Sequence, residues 1–168
     1  PEVEMEEALM GALGRAADHL ERMRGTEGRS LADAVLAHLD TAQGWTQAVG
    51  ARIPEVVRAR KQKLEVRLSE LLGDTALDPS RLAQEVALLA DRMDVSEELE
   101  RLGAHLEHAR ELLASPDPVG RKLDFLVQEM NRETNTIASK VTDGGVAHIV
   151  VELKTELERT REQVQNLE

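Results

Sequence analysis

The chain of 168 residues contains no cysteine and no tyrosine, and only one tryptophan and one phenylalanine. Without thiols, neither a disulfide framework nor a thiolate metal site can form. So few rings argue against a base-stacking platform of the kind that RNA-recognition motifs and oligonucleotide-binding barrels present. Apolar runs are only a few residues long, too short for a membrane-spanning helix. No basic segment leading into an apolar stretch opens the sequence, which points to the cytoplasm. The first residue is Pro1 rather than an initiator methionine, as expected of a processed product or a fragment of a longer protein. There is no P-loop, Gly-x-Gly-x-x-Gly, His-Glu-x-x-His or Gly-x-Ser-x-Gly, so nucleotide-driven and acyl-transfer chemistry are not expected. A net charge of −11 opposes indiscriminate binding to polyanions and leaves room only for a local basic patch.

What remains is helix after helix, on a length sufficient for one domain of ordinary size. An apolar stripe starts near Val3 and runs through Met5, Leu9, Leu13, Ala16, Leu20 and Met23. It keeps its phase across Gly25 and Gly28 and continues through Leu31, Val35, Leu39, Ala42, Trp45, Val49 and Ile53, predicting one very long helix, kinked at most near the glycines. Pro54 reads as the first residue of a second helix with Val57, Leu64, Leu68 and Leu71 inward, closed by Gly73. Asp78-Pro79 opens a third helix through about Met93, and Asp94 with Glu97 has the spacing of a capping box for a fourth. Asp117 and Pro118 cap a fifth, and Asp143-Gly-Gly145 precedes a last one carrying Val146, Val150, Leu153, Leu157 and Val164. No segment has strand periodicity. The expected fold is all-α, a long N-terminal helix or helical hairpin (residues 1–78) followed by a helical bundle (residues 79–168). An initial helix of some 45 residues would span about 70 Å, so part of it should pack on another domain or subunit.

Three groups of side chains are candidates for chemistry. The fifth helix gathers Leu123, Leu126, Val127, Met130 and Ile137 on one stripe, while Asp124, Gln128, Asn131 and Asn135 share an opposite arc with Arg121 beside them. Short Asp and Asn are poor helix formers that compete for the backbone, so solubility alone does not explain them. They fit either a buried polar seam to a neighbour or a functional groove. Next to that face, Glu129 and Glu133 lie one turn apart. The pair suits a hard divalent cation or ion pairs with Lys122 and Arg132. His105 and His108 stand three apart on the fourth helix, without a third ligand on the same element, and Asp91, Asp94, Glu97 and Glu98 crowd the turn before it. Finally, Arg58, Arg60, Lys61, Lys63 and Arg67 fall within ten residues, with Arg60, Lys63 and Arg67 on one helical face. In an acidic chain that density suits either phosphate contacts or a solvated face balanced by acidic neighbours.

The blocks RLAQEVALLADRMDVSEELERLGAHL (81–106), PVGRKLDFLVQEMNRETNTIASK (118–140) and REQVQNLE (161–168) resemble the C-terminal region of the YicC/YloC family of bacterial endoribonucleases. Residues 1–78 resemble, more loosely, the helical segment that precedes it, including the run from Arg24 to Gly28. The resemblance implies a bacterial cytoplasmic protein that cleaves single-stranded RNA with a divalent cation, Mg²⁺ or Mn²⁺, and assembles as a homo-oligomer, a hexamer when full-length. Family members carry an additional N-terminal domain that this sequence lacks, so the chain alone is expected to be incomplete as a ribonuclease. Residue chemistry at the matching positions then suggests Asp124, Glu129 and Glu133 as metal ligands, His105 as a proton shuttle, and Arg121, Lys122 and Arg132 with Arg58, Arg60, Lys63 and Arg67 as RNA contacts. No nucleotide cofactor is implied. The competing reading is a helical oligomerisation scaffold with no chemistry of its own. The two differ in whether Asp124, Gln128, Asn131 and Asn135 face a solvent-filled groove or a protein interface.

Overall fold

A computed structural model describes residues 2–72, 78–115 and 117–167. Among these there is no strand, and five helices follow one another: α1 (Glu2–Leu72), α2 (Pro79–Arg92), α3 (Ser96–Leu113), α4 (Gly120–Lys140) and α5 (Gly144–Val164). The all-α expectation holds, including a first helix that reaches well beyond the bundle.

The number of helices is one fewer than the sequence suggested, because α1 does not stop at Pro54. It runs unbroken for 71 residues with Pro54 inside it, a length of about 107 Å. A mid-helix proline removes one backbone hydrogen bond and crowds the carbonyl four residues back, a cost of about 3 kcal/mol. Here the turns on both sides are pinned by packing: Val49 and Val56 are buried and Ile53 half-buried. Burying one such side chain contributes roughly 1.5–3 kcal/mol, so the flanking contacts offset the proline. The expected stop at Gly73 lies outside the described residues.

α1 has two regimes. From Val3 to Met23 its apolar side chains are exposed, Leu9 by 68% and Leu13 by 62%, so among the described residues nothing covers this arm. From Val35 onward the stripe Val35, Leu39, Ala42, Thr46, Val49, Val56 is buried at spacings of three and four, apart from half-buried Ile53. α5 packs along this half of α1, α4 packs on α5, and α3 lies against both α4 and α1, while α2 meets the far end of α1. Leu39, Leu102, Leu106, Leu123, Met130, Ile137, Leu153 and Leu157 fill the centre.

Among the described residues the buried polar side chains of the bundle are paired, except that Glu98 Oε2 has no hydrogen-bond partner. The hydroxyls of buried Thr46, Thr134 and Thr160 donate to the carbonyls of Ala42, Met130 and Glu156, one turn back. Three glutamates are buried, each facing a cation or histidine: Glu98 with Lys140 at 2.8 Å, Glu133 with Arg101 at 3.2 Å, and Glu156 with His38 at 2.8 Å and Arg159 at 2.6 Å. The first two run in opposite senses between α3 and α4, and so fix the antiparallel register of that pair.

Helix starts agree only in part with the sequence. Asp78 and Asp143 cap α2 and α5 as expected, accepting from Ser80 N–H and from Gly145 and Val146 N–H. Asp94 accepts from Ser96 N–H at 2.9 Å, but Glu97 turns to Arg101 at 3.0 Å instead of closing a capping box. α4 begins later than expected, at Gly120 behind Val119, because Asp117 binds back to Ser115 and is not its cap.

Two carboxyls link this packing to pH. The Ser96 hydroxyl and backbone N–H, aided by Lys140, hold Asp94 below its ordinary 3.8. Burial pushes Glu98 up, but the Lys140 hydrogen bond, a backbone N–H and the charges of Lys140 and Arg101 outweigh it, leaving Glu98 below 4.5. A depressed folded-state value means that the ionised group stabilises the fold above the unfolded value. That contribution is lost as pH falls through the folded value, hence below about pH 4.5. Glu98→Gln should therefore cost about 1 kcal/mol at pH 7, discounted because Lys140 still reaches water, and the gap to wild type should close on acidification. Thermal melts followed by circular dichroism between pH 7 and 3 check this; parallel curves would assign the acid dependence elsewhere.

Candidate functional site

Two polar grooves stand out on the bundle. The first lies where α2 folds back on the end of α1. Arg60, Lys63 and Arg67 occupy one face of α1 and meet Arg92, the last residue of α2, around Leu64, Leu88 and Leu89. The hollow holds about 310 Å³, and among the described residues Glu85 is the one carboxylate in its lining. Arg92 also sits where a helix C-terminus favours a cation. The Arg60 guanidinium donates to the Thr142 carbonyl, tying this end of α1 to the α4–α5 connection. Four cations around a short apolar floor form a cradle for phosphate oxygens, whose charge is the same whatever base they carry. Arg58 is exposed and takes no part in the groove.

The second groove runs between α4 and α5 and holds about 640 Å³. From α4 it receives Gln128, Asn131, Arg132, Asn135, Thr136 and Ser139, and from α5 Lys154, Glu158 and Arg161. The unusual amides of α4 thus line an open hollow in this chain: Gln128 and Asn135 are exposed and Asn131 is half-buried. Asp124 closes one end, held at 3.1 Å by Arg161 Nε and at 2.6 Å by the Gln128 amide.

The expected catalytic and metal-ligating residues are not brought together. Asp124 lies on the α5 flank of α4. Glu133, nine residues on and therefore half a turn away, is buried on the α3 flank against Arg101. Glu129 is 3.8 Å from Arg132 of its own helix. The register of the α3–α4 ion pairs puts His105 level with Glu129, half-buried and one turn from Arg101. Among the described residues no group of three His, Asp or Glu side chains is placed to hold a metal ion. Each expected ligand already has a cationic neighbour, so the three do not fit one shared cation within this chain. Arg121, Lys122 and Arg132 are exposed along α4.

Sequence reasoning missed several lining residues. Arg92 is far from Arg67 in the chain, and no local pattern joins them. Lys154, Glu158 and Arg161 did carry a signal, since spacings of four and three put them on one face of α5.

The family description "Endoribonuclease YicC-like, C-terminal" matches residues 49–168. Two curated relatives bear the name "Probable endoribonuclease YicC". The chain is 41% identical to the one from Clostridioides difficile (strain 630) over 170 residues, covering 98% of this chain and 58% of that protein. It is 43% identical to the one from Haemophilus influenzae (strain ATCC 51907 / DSM 11121 / KW20 / Rd) over 146 residues, covering 87% of this chain and 50% of that protein. The chain therefore spans about half the length of these two relatives.

Proposed function

We infer that this chain, which belongs to the YicC-like endoribonuclease family, is the RNA-holding part of an endoribonuclease that cleaves phosphodiester bonds in single-stranded RNA. The observation that carries the reading is the α1–α2 groove: Arg60, Lys63, Arg67 and Arg92 converge there in a chain of net charge −11. Cations gathered in a hollow strengthen one another's attraction for a polyanion and release its counterions on contact. Such a cradle holds the strand without reading it. The carboxylates here do not surround one cation, so cleavage and its divalent ion, Mg²⁺ or Mn²⁺, belong in this reading to the full-length protein.

The exposed arm of α1 favours a second role alongside the first. Val3, Met5, Leu9, Leu13, Leu20 and Met23 form an apolar stripe that isolated monomers rarely leave in water. In the full-length protein we assign it to a homo-oligomer, a hexamer, working in the cytoplasm. Among the described residues no helix is long and apolar enough to cross a membrane.

The test compares this chain and the full-length protein for RNA binding across salt concentrations and for cleavage with Mg²⁺, Mn²⁺ or EDTA. Salt-sensitive binding of unrelated single strands by both, with cation-dependent cleavage by the full-length protein, is the expected outcome. Absence of binding by this chain at low salt would overturn the RNA-holding role, and cleavage that persists in EDTA would overturn the metal dependence.

A further inference from the structure

α4 carries one feature that neither the core nor the ion pairs explain. Its large apolar residues Leu123, Leu126, Val127, Met130 and Ile137 are all buried, whereas Phe125, the only phenylalanine of the chain, is 60% exposed. Phenylalanine is not a strong helix former, and a ring left in water gains nothing from burial, so neither propensity nor packing accounts for it. Its neighbours along the outward ridge are Arg121, Gln128 and Arg132, at spacings of four, three and four, all exposed. The ridge borders the α4–α5 groove, where hydrogen-bonding capacity is left over. Asn131 gives its amide N–H to the Val127 carbonyl at 3.3 Å and keeps its oxygen, and Asn135 makes no hydrogen bond among the described residues. On the other wall Lys154 stands with Glu158, and Arg161 is paired with Asp124 at 3.1 Å.

A ring face, carboxamide edges and guanidinium groups are the three kinds of contact that an unpaired nucleotide uses: stacking, base-edge hydrogen bonds and phosphate pairing. We propose that the outward ridge of α4 with its adjoining groove binds an unpaired nucleotide of single-stranded RNA. The base stacks on Phe125, and Arg121 and Arg132 hold the flanking phosphates. The Gln128 carbonyl oxygen, left over once its amide N–H binds Asp124, faces the base edge, while Asn135, about 15 Å further along α4, faces a neighbouring base. This assignment rests on the RNA-holding reading and divides the work between two places. The α1–α2 cradle takes phosphates only; the α4 ridge requires a base with an exposed face, and so discriminates single strand from duplex, where bases are stacked on one another.

The test uses binding of a short labelled single-stranded RNA to the full chain. Phe125→Ala, an exposed change to a better helix former, should weaken binding about tenfold or more while leaving the salt slope unchanged, because stacking releases no counterions. Phe125→Trp should keep the affinity, and its added indole emission should be quenched by RNA beyond any change of Trp45 in the wild type. Unchanged affinity in Phe125→Ala would overturn the proposal. So would a change in the sedimenting mass of RNA-free Phe125→Ala, since that would make Phe125 a contact between copies. Wild-type protein that binds no RNA would remove the RNA-holding reading itself. Binding that is sensitive to the α1–α2 cations but indifferent to Phe125 would remove this assignment alone.

Discussion

Replacing Arg60, Lys63 and Arg67 together with glutamate is expected to lower affinity for unrelated single-stranded RNAs by about a hundredfold or more at moderate salt. All three line the same hollow, so the change turns its attraction into repulsion rather than thinning it. The salt dependence should flatten as well. Each phosphate contact on a single strand contributes about 0.7 to the slope of log K against log salt, so losing three removes roughly 2. Arg60 also donates to the Thr142 carbonyl, which makes a folding control necessary. Lys63→Glu with Arg67→Glu, leaving Arg60 in place, supplies it: most of the slope change should persist with an unaltered melting curve. Affinity and slope identical to wild type would show the cluster to be ordinary solvated surface.

Leu153→Ala is expected to destabilise the bundle by about 3 kcal/mol or more, within the range for truncating a fully buried leucine. Leu153 is 0% exposed on α5, the helix that packs on both α1 and α4, so the cavity opens where those helices meet. Leu9→Ala removes the same atoms from a residue that is 68% exposed, and should leave the stability of the separate chain almost unchanged. Urea denaturation of both variants reads the contrast. A loss below about 1 kcal/mol for Leu153→Ala would mean that the site collapses around the vacancy instead of holding its shape.

These expectations show which parts of the molecule local pattern could reveal. The stripe from Val35 to Ile53 was legible because a helix repeats every 3.6 residues whatever it packs on, although Thr46 and not Trp45 holds the buried position. Asp78 and Asp143 were legible because a cap is a local bond. Pro54 misled because its penalty is local while the contacts that offset it come from the far end of the chain. Glu133 was grouped with Glu129, as a cation pair or as partners of Lys122 and Arg132, for a similar reason: its actual partner Arg101 belongs to another helix. The amide-rich face of α4 was visible as an anomaly of composition, but its second wall, Lys154 to Arg161, needed the α4–α5 packing. The outward ring of Phe125 was not legible because nothing in the local sequence says which apolar side chain of α4 stays outside the core.

Continuity through Gly25, Gly28 and Pro54 also gives α1 a mechanical character. A linker of glycine and serine would let the arm and bundle tumble separately; a helix with no joint behaves as a stiff beam. Val3 and Val35 are held about 48 Å apart by the helical rise, a spacing that thermal motion alters by bending, not by collapse. Whatever engages the arm is therefore set at a fixed stand-off from both grooves, and a tilt imposed at its tip must swing the bundle as a lever swings its load.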